Sequence, residues 1–320
     1  MKIKRIILGL FCLLYSVSPF AANSQHLVKN SDKSERHNPV DNLHALFSYT
    51  DFKFNASDST RISRFQGHYN LYLLGGNSKP ISQDTVAGLF AYKIDTYLNF
   101  TQSSLAFTAE AIHNNSLFGH VLKRIKNSFS VDLMGAFGQN RISYKTLSTQ
   151  NTTTDNNLGH ARSHGNSWFV ALKGFYTHSW DDFVLLTSVG ALHTEVIQKE
   201  FNFFFTSAPT NFISPLTSST TFLLENAELT YKPNSIIIPF VNAGLIQVVQ
   251  KLNNRPLAAA LSIGSTPNQD IALNKNGFSV GAGLALHYKK MSLRLEQQYY
   301  QRGTIYHSNQ SILSFRIAID

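Results

Sequence analysis

The chain has 320 residues, of which 43% are hydrophobic, 12% aromatic and 15% charged, with a formal charge of +9 and a single cysteine. Charge well below the roughly 25% of soluble domains, together with so many aromatics, excludes a largely disordered chain and points to a surface that does not all face water. A helical membrane protein is disfavoured, because the one dense apolar run, IILGLFCLLY at 6–15, falls far below the roughly 20 residues a spanning helix needs.

That run is preceded by Lys2, Lys4 and Arg5 and followed by Ser16, Ser18, Ala21 and Ala22, the basic, apolar and small-residue order of a secretory signal peptide over 1–22. Cys12 sits within the apolar run without the small residues that precede a lipidated cysteine, so it departs with the signal. Cleavage removes three basic residues and no acidic one, lowering the formal charge from +9 to +6. The remaining chain has no cysteine and must be held by packing or by closure of a sheet on itself. Nucleic acid is not an expected partner, since the one tight basic cluster is Lys123, Arg124 and Lys126. Residues 23–42, NSQHLVKNSDKSERHNPVDN, are polar enough for a periplasmic tail or for a plug inside a lumen.

From Arg61 on the sequence repeatedly alternates in steps of two, which sends successive side chains of a strand to opposite faces. Phe65, Gly67, Tyr69, Leu71 and Leu73 oppose Arg64, Gln66, His68, Asn70 and Tyr72; Phe90, Tyr92, Ile94 and Leu98 oppose Lys93, Asp95 and Tyr97. Near the end Phe278, Val280, Ala282, Leu284, Leu286 and Tyr288 oppose Ser279, Gly281, Gly283 and His287, and Leu313, Phe315, Ile317 and Ile319 oppose Ser314 and Arg316. Several runs reach the about 9 to 11 residues of a tilted membrane-crossing strand, beyond the about 5 or 6 of a sandwich strand. The pattern predicts an all-β, antiparallel transmembrane barrel over 43–320 with strands near 43–54, 61–74, 86–98, 103–112, 129–145, 167–178, 183–196, 221–231, 236–250, 277–288, 291–302 and 311–319.

Short links at 179–182, 232–235 and 289–290 alternate with long ones at 146–166, 197–220 and 251–276, as periplasmic turns alternate with outer loops. Both termini are then periplasmic. The stretch 113–127 fits badly, being a long link on the short-turn side. The polar segment TLSTQNTTTDNNLGHARSHGNS reads as a solvated loop. So does most of 201–224, which lacks charge until Glu225 but holds Pro209 and Pro215; its FNFFF start extends a strand or meets lipid or a partner.

The search for chemistry yields no catalytic, cofactor or metal site. His160 and His164 lie near Ser163 and Ser167, as a lipid hydrolase would need, but each His is three residues from its Ser, and residues share a strand face when two apart. No acid or amide is placed to orient them, and two histidines without a third ligand make no metal site. The residues expected in the lumen are Arg64, Lys93, Asp95, Glu110, Asp132, Lys173, Arg294, Glu296, Gln298 and Arg316, which either form a paired network that closes it or line a narrow aqueous path.

The run NGFSVGAGLALHYKKMSLRLEQQYYQRG followed by SILSFRIAID resembles the end of the autotransporter β-domain family, where a glycine-bearing strand, a tight turn, a strand with polar inward residues and a closing strand follow one another. The likeness is good over 277–320 and weaker back to about residue 60, including SVDLMGAFGQNRISY. It implies a twelve-stranded barrel in the outer membrane of a Gram-negative envelope. Two departures stand out. About 20 polar residues precede the first strand where the family carries a long passenger, so export of a passenger is not expected. The family also tends to end on an aromatic residue read by the barrel-assembly machinery, whereas this chain ends Ile319, Asp320; by the resemblance, Leu313, Phe315, Ile317 and Ile319 take that part. The expected partners are outer-membrane lipid, lipopolysaccharide, the assembly machinery and an external ligand at the long loops. The expected function is a narrow, porin-like pore or a surface-exposed structural protein, with an adhesin acting through its loops as the alternative and a lipid hydrolase as the least favoured reading.

Overall fold

The computed structural model describes residues 41–57, 62–77, 81–82, 84–102, 105–148, 157–206, 210–232, 236–253, 276–304 and 306–319; the signal segment 1–22, the polar segment 23–42 except its last two residues, and most of the 251–276 link lie outside these. The strands are β1 (Asp41–Ser57), β2 (Ile62–Asn77), β3 (Thr85–Gln102), β4 (Leu105–Lys126), β5 (Phe129–Ser148), β6 (Asn157–Trp180), β7 (Phe183–Gln198), β8 (Phe201–Phe205), β9 (Asn211–Ile213), β10 (Leu216–Tyr231), β11 (Ile237–Asn253), β12 (Gly277–Tyr288), β13 (Met291–Arg302) and β14 (Tyr306–Ile319). Setting aside β8 and β9, the other twelve pair in sequence order as one antiparallel sheet, which closes where β1 pairs with β14 from Asp41↔Ile319 to Phe54↔Tyr306. Closure gives each of these twelve strands a neighbour on both sides, so the wall has no edge.

Asp41 and Ile319 stand at the end that carries the tight turns, where β6 meets β7 at 181–182 and β12 meets β13 at 289–290. Asp181 and Lys289 take positive φ there, 43° and 52°, as the first residue of a hairpin turn matched to strand twist. The outward face carries an apolar band. Along β5 it runs from Phe129 through Leu133 to Phe137 before Gln139 and Arg141 take over; at about 3.3 Å per residue and a tilt near 40° the band is roughly 20 Å tall. Aromatic rows mark both margins. Tyr176, His178, Trp180, Phe183 and Tyr231 adjoin in series by the tight turns, and Tyr49, His68, Tyr97 and His113 do so at the upper margin. Glu225 interrupts the band beside Val189 and Leu245 and meets Gln247 at 3.3 Å.

Three expectations are corrected. Residues 113–126 are not a link but the lower half of β4, which turns into β5 through 127–128; His113 and Asn115 face out while Asn114, Ser116, Phe118, His120 and Leu122 face in. Polar residues on both faces hid the period of two, and their removal from the links restores the alternation of short and long connections. GHARSHGNS belongs to β6 rather than to a loop. The 201–224 region holds the β8–β9 hairpin, paired to β6 at Gly159↔Phe205 and Ala161↔Phe203, and the start of β10.

If lipid covers the outward band, Leu133→Arg, at its middle and 52% exposed, is expected to cost about 2–4 kcal/mol in urea unfolding from bilayers. Gln139→Arg, just above the band, is expected to cost less than about 1 kcal/mol in the same measurement.

Candidate functional site: the barrel interior

The inward faces alternate between apolar and polar tiers. Leu71, Phe90, Ile94, Phe118, Phe169, Leu192, Phe222 and Ile246 belong to one buried cluster, and among them stand charged and amide groups that a low-dielectric site tolerates only when answered.

The most completely answered is Arg294 on β13. Its Nη1 and Nη2 donate to Glu228 Oε1 and Oε2 at 3.1 and 2.8 Å, a two-pronged contact, while Nη2 and Nε donate to Glu296 Oε2 at 2.9 and 3.3 Å. Asn242 Nδ2 donates to the other oxygen of Glu296 at 2.7 Å, and the guanidinium lies 3.5 Å over the Phe240 ring. The planar fork of arginine suits this site because it serves two carboxylates and a ring face at once. On the opposite wall the His120 ring lies between Asp132 Oδ1, 3.1 Å from Nδ1, and Asn77 Oδ1, 2.8 Å from Nε2. Lys173 stands directly across from Asp132 in the β5–β6 ladder. Higher up, Asn114 Nδ2 donates to Asn140 Oδ1 at 2.7 Å and to Ser167 Oγ at 3.1 Å, Asn114 Oδ1 accepts from Ser116 Oγ at 2.6 Å, and Gln198 donates to the Tyr144 hydroxyl at 2.9 Å.

Four of these ties pass over one strand, and in three of them that strand carries an inward glycine at the crossing. Gly88 on β3 lies between Asn77 and His120, and a Cβ there would strike both. Gly138 on β5 leaves room for Asn114 and Ser116 to reach towards β6, and Gly281 on β12 leaves room for Asn242 to reach β13. Gly283, one step along, makes the space in which Phe240 lies under Arg294. Glycine weakens a strand by itself; here it lets the flanking strands touch across it.

The structure sorts the sequence-derived residues as follows. Glu110, Asp132, Lys173, Arg294, Glu296 and Gln298 are buried on the inner face, and Arg316 is inward and part-buried. Lys93 and Asp95 are instead on the outer face, joined at 2.8 Å, with Asp95 also 2.6 Å from His113. Their strand is inverted relative to expectation because its apolar residues, Phe90, Tyr92, Ile94 and Leu98, point into the barrel. The same holds for Tyr69, Leu71 and Leu73 of β2; the Arg64 side chain lies outside those described. Leu313 and Ile319 are exposed on the outer face, with Phe315 and Ile317 part-buried between them. His160 and His164 face outward while Ser163 and Ser167 face in, so no His–Ser pair meets on β6. Sequence reading missed Glu228, Asn242, His120 and Asn77. For Asn242, His120 and Asn77 the signal was a polar residue at inward phase across from a glycine; Glu228 lies opposite Asn242 and Leu186 instead.

Solved structures show the same architecture. The translocator domain of the autotransporter NalP from Neisseria meningitidis superposes with a TM-score of 0.66 at 11% identity, covering 96% of this chain and 97% of that one. This chain has the fold of an autotransporter translocator domain. The β domain of the Bordetella autotransporter BrkA gives 0.58 at 9% identity over 86% of this chain and 99% of that one, and the transport unit of AIDA-I from Escherichia coli 0.52 at 9% over 94% and 97%. No protein-family model matches the sequence, and no curated protein sequence does. In this translocator fold the outer-membrane-type barrel is set by alternation and closure, which tolerate near-complete change of sequence.

Removing Arg294 alone leaves two buried carboxylates without their counter-charge, so Arg294→Met is expected to lower unfolding free energy by about 3–5 kcal/mol. Neutralising the partners as well, in Arg294→Met/Glu228→Gln/Glu296→Gln, is expected to restore most of it; urea titration with heat-modifiable migration as readout separates the two. Gly281→Leu is expected to cost about 1–3 kcal/mol by forcing Asn242 from Glu296, whereas Gly119→Leu, on the outer face with only ordinary contacts, should change stability by less than about 0.5 kcal/mol.

Proposed function

We propose that the chain is an integral outer-membrane barrel, with Asp41 and Ile319 at the periplasmic rim, whose interior forms a narrow polar passage. The observation that carries the reading is the direction of the interior ties. Each of those described joins strands at most three apart and so follows the wall: Arg294 to Glu228 between β13 and β10, His120 to Asn77 between β4 and β2, Asn114 to Ser167 between β4 and β6. Such ties stiffen a lining and leave the axis to a solute or a segment of chain. At the short-turn end the carboxylates of Asp132, Glu228 and Glu296 stand on the inner face with Lys173, Arg294 and Arg316, so the lining carries both signs.

Purified protein in planar bilayers is expected to give small, discrete conductance steps. Glu228→Gln/Glu296→Gln is expected to move the reversal potential towards anions. Silence from both proteins would remove the pore and leave a surface-exposed structural role. Outer-membrane placement is checked separately, by fractionation together with different migration of boiled and unboiled samples.

A second reading, recognition through the outer loops, draws support from the β8–β9 hairpin. Phe201 and Phe203 are buried, with Tyr144 stacked on Phe201, while Phe204 and Phe212 are 45% and 61% exposed. Loss of partner or host-cell binding in Phe204→Ser/Phe212→Ser, with an intact barrel, is the result that favours it.

A further inference from the structure

Above the apolar band, the outer face of β3 to β6 is cationic. Lys93, Arg141, Lys145 and Arg162 are exposed there, with His160 and His164 also exposed and His113 part-exposed. Asp95 is the one carboxylate among the described outward residues of these four strands, and Lys93 and His113 already engage it. The ladders place these groups side by side: Asp95, His113, Arg141 and His164 form one row, Arg162 lies opposite Ser143 in the next, and Lys145 faces His160 in the third. With strands about 4.8 Å apart and two-residue steps of about 6.7 Å, Arg162 lies roughly 8 Å from both Arg141 and Lys145, measured along the backbone. Like charges at that spacing repel unless an anion lies among them. The sector is local: on β7 and β10 the outward charges are Glu195 and Glu225.

Directly below, the outer wall carries a groove of about 590 Å³ with Ala91 at its floor, Tyr72, Leu74, Leu117 and Phe137 around it and Lys93 at its upper rim. An apolar groove in the band capped by cations at its margin has the polarity of an anionic amphiphile.

We propose that this sector docks the phosphorylated glycolipid of the outer leaflet, the lipid A portion of lipopolysaccharide, with an acyl chain in the groove and the sugar phosphates against Arg141, Lys145 and Arg162. The assignment rests on the outer-membrane placement above and on the collar lying towards the long loops, where the outer leaflet is. Arg141, Arg162 and Lys145, one on each of three successive rows of β5 and β6, match a wide headgroup with more than one phosphate better than a single phosphodiester, and basic pockets on membrane proteins hold lipid headgroups in this way.

The test is native mass spectrometry of the detergent-purified, folded barrel titrated with lipid A, dephosphorylated lipid A and phosphatidylglycerol. Lipid A is expected to bind at least tenfold more tightly than the other two. Arg141→Gln/Lys145→Gln/Arg162→Gln should lose at least tenfold, Ala91→Trp should weaken binding by filling the groove with the charges intact, and Lys53→Gln, an exposed cation on β1, should change it less than twofold. Equal binding of dephosphorylated lipid A or phosphatidylglycerol overturns the proposal, as does unchanged binding in the triple variant. A protein recovered from the soluble fraction with no heat-modifiable form instead defeats the membrane placement beneath it.

Discussion

Fourteen residue pairs between β1 and β14 turn a sheet into a tube, and the other features of the wall presuppose that seam. An open sheet in hydrocarbon would leave two rows of amides and carbonyls without partners, at several kcal/mol each. Once the seam is closed, every backbone group of the wall finds its partner along the circumference, and side chains are free to differ completely on the two faces. Outside they need only be apolar through the band. Inside they can be of any kind, provided that each polar group is answered.

The interior answers them economically. A side chain on one strand reaches its neighbour's side chain directly, or passes over an intervening strand where that strand has no Cβ. Gly88, Gly138, Gly281 and Gly283 mark such crossings, and each couples three strands through one local arrangement. The Arg294 group is the densest case, with β10, β11 and β13 held together across a glycine-bearing β12. Charges in this interior act as staples of the wall, which is why a polar lining and a stiff barrel are compatible.

The same logic decides how much could be read from the sequence. β12, β13 and the 311–319 part of β14 were legible, since near the tight turns their outward residues are mostly apolar and their inward residues mostly glycine, amide or charge, so period and sign both show; 306–310, with polar residues on both faces, was not. For β2 and β3 the period was legible and the sign was not. Their inward residues, Tyr69, Leu71, Leu73, Phe90 and Ile94, are as apolar as any that face lipid, and hydropathy alone cannot say which greasy side faces in. The lower half of β4 and the upper part of β6 were illegible because both faces are polar over several steps: Asn114 and Ser116 inside against His113 and Asn115 outside, Ser163 and Ser167 inside against Arg162 and His164 outside. Half of the interior staple was visible as charge at inward phase, in Arg294 and Glu296. The other half, Glu228 and Asn242, required knowing which strands lie three and two places round the wall.

The inversion of β3 also joins the two sides of the wall into one account. A strand whose apolar residues are drawn inward to pack on Phe118 and Leu71 must present its polar phase outward, and Lys93 and Asp95 follow from that. The neighbouring strands repeat the choice above the band, with Ile112, Ile142, Tyr144 and Ala161 buried while His113, Arg141, Lys145 and Arg162 face out. An apolar interior at this height therefore places a basic collar on the exterior of the same sector, at the level where a bilayer changes from hydrocarbon to headgroup. On β12 and β13 the choice is reversed, with Ser279, Gln298 and Arg302 inside and Phe278 and Tyr299 outside. The barrel is two-sided around its circumference as well as across its wall, and the cationic sector is the outer counterpart of the packed one.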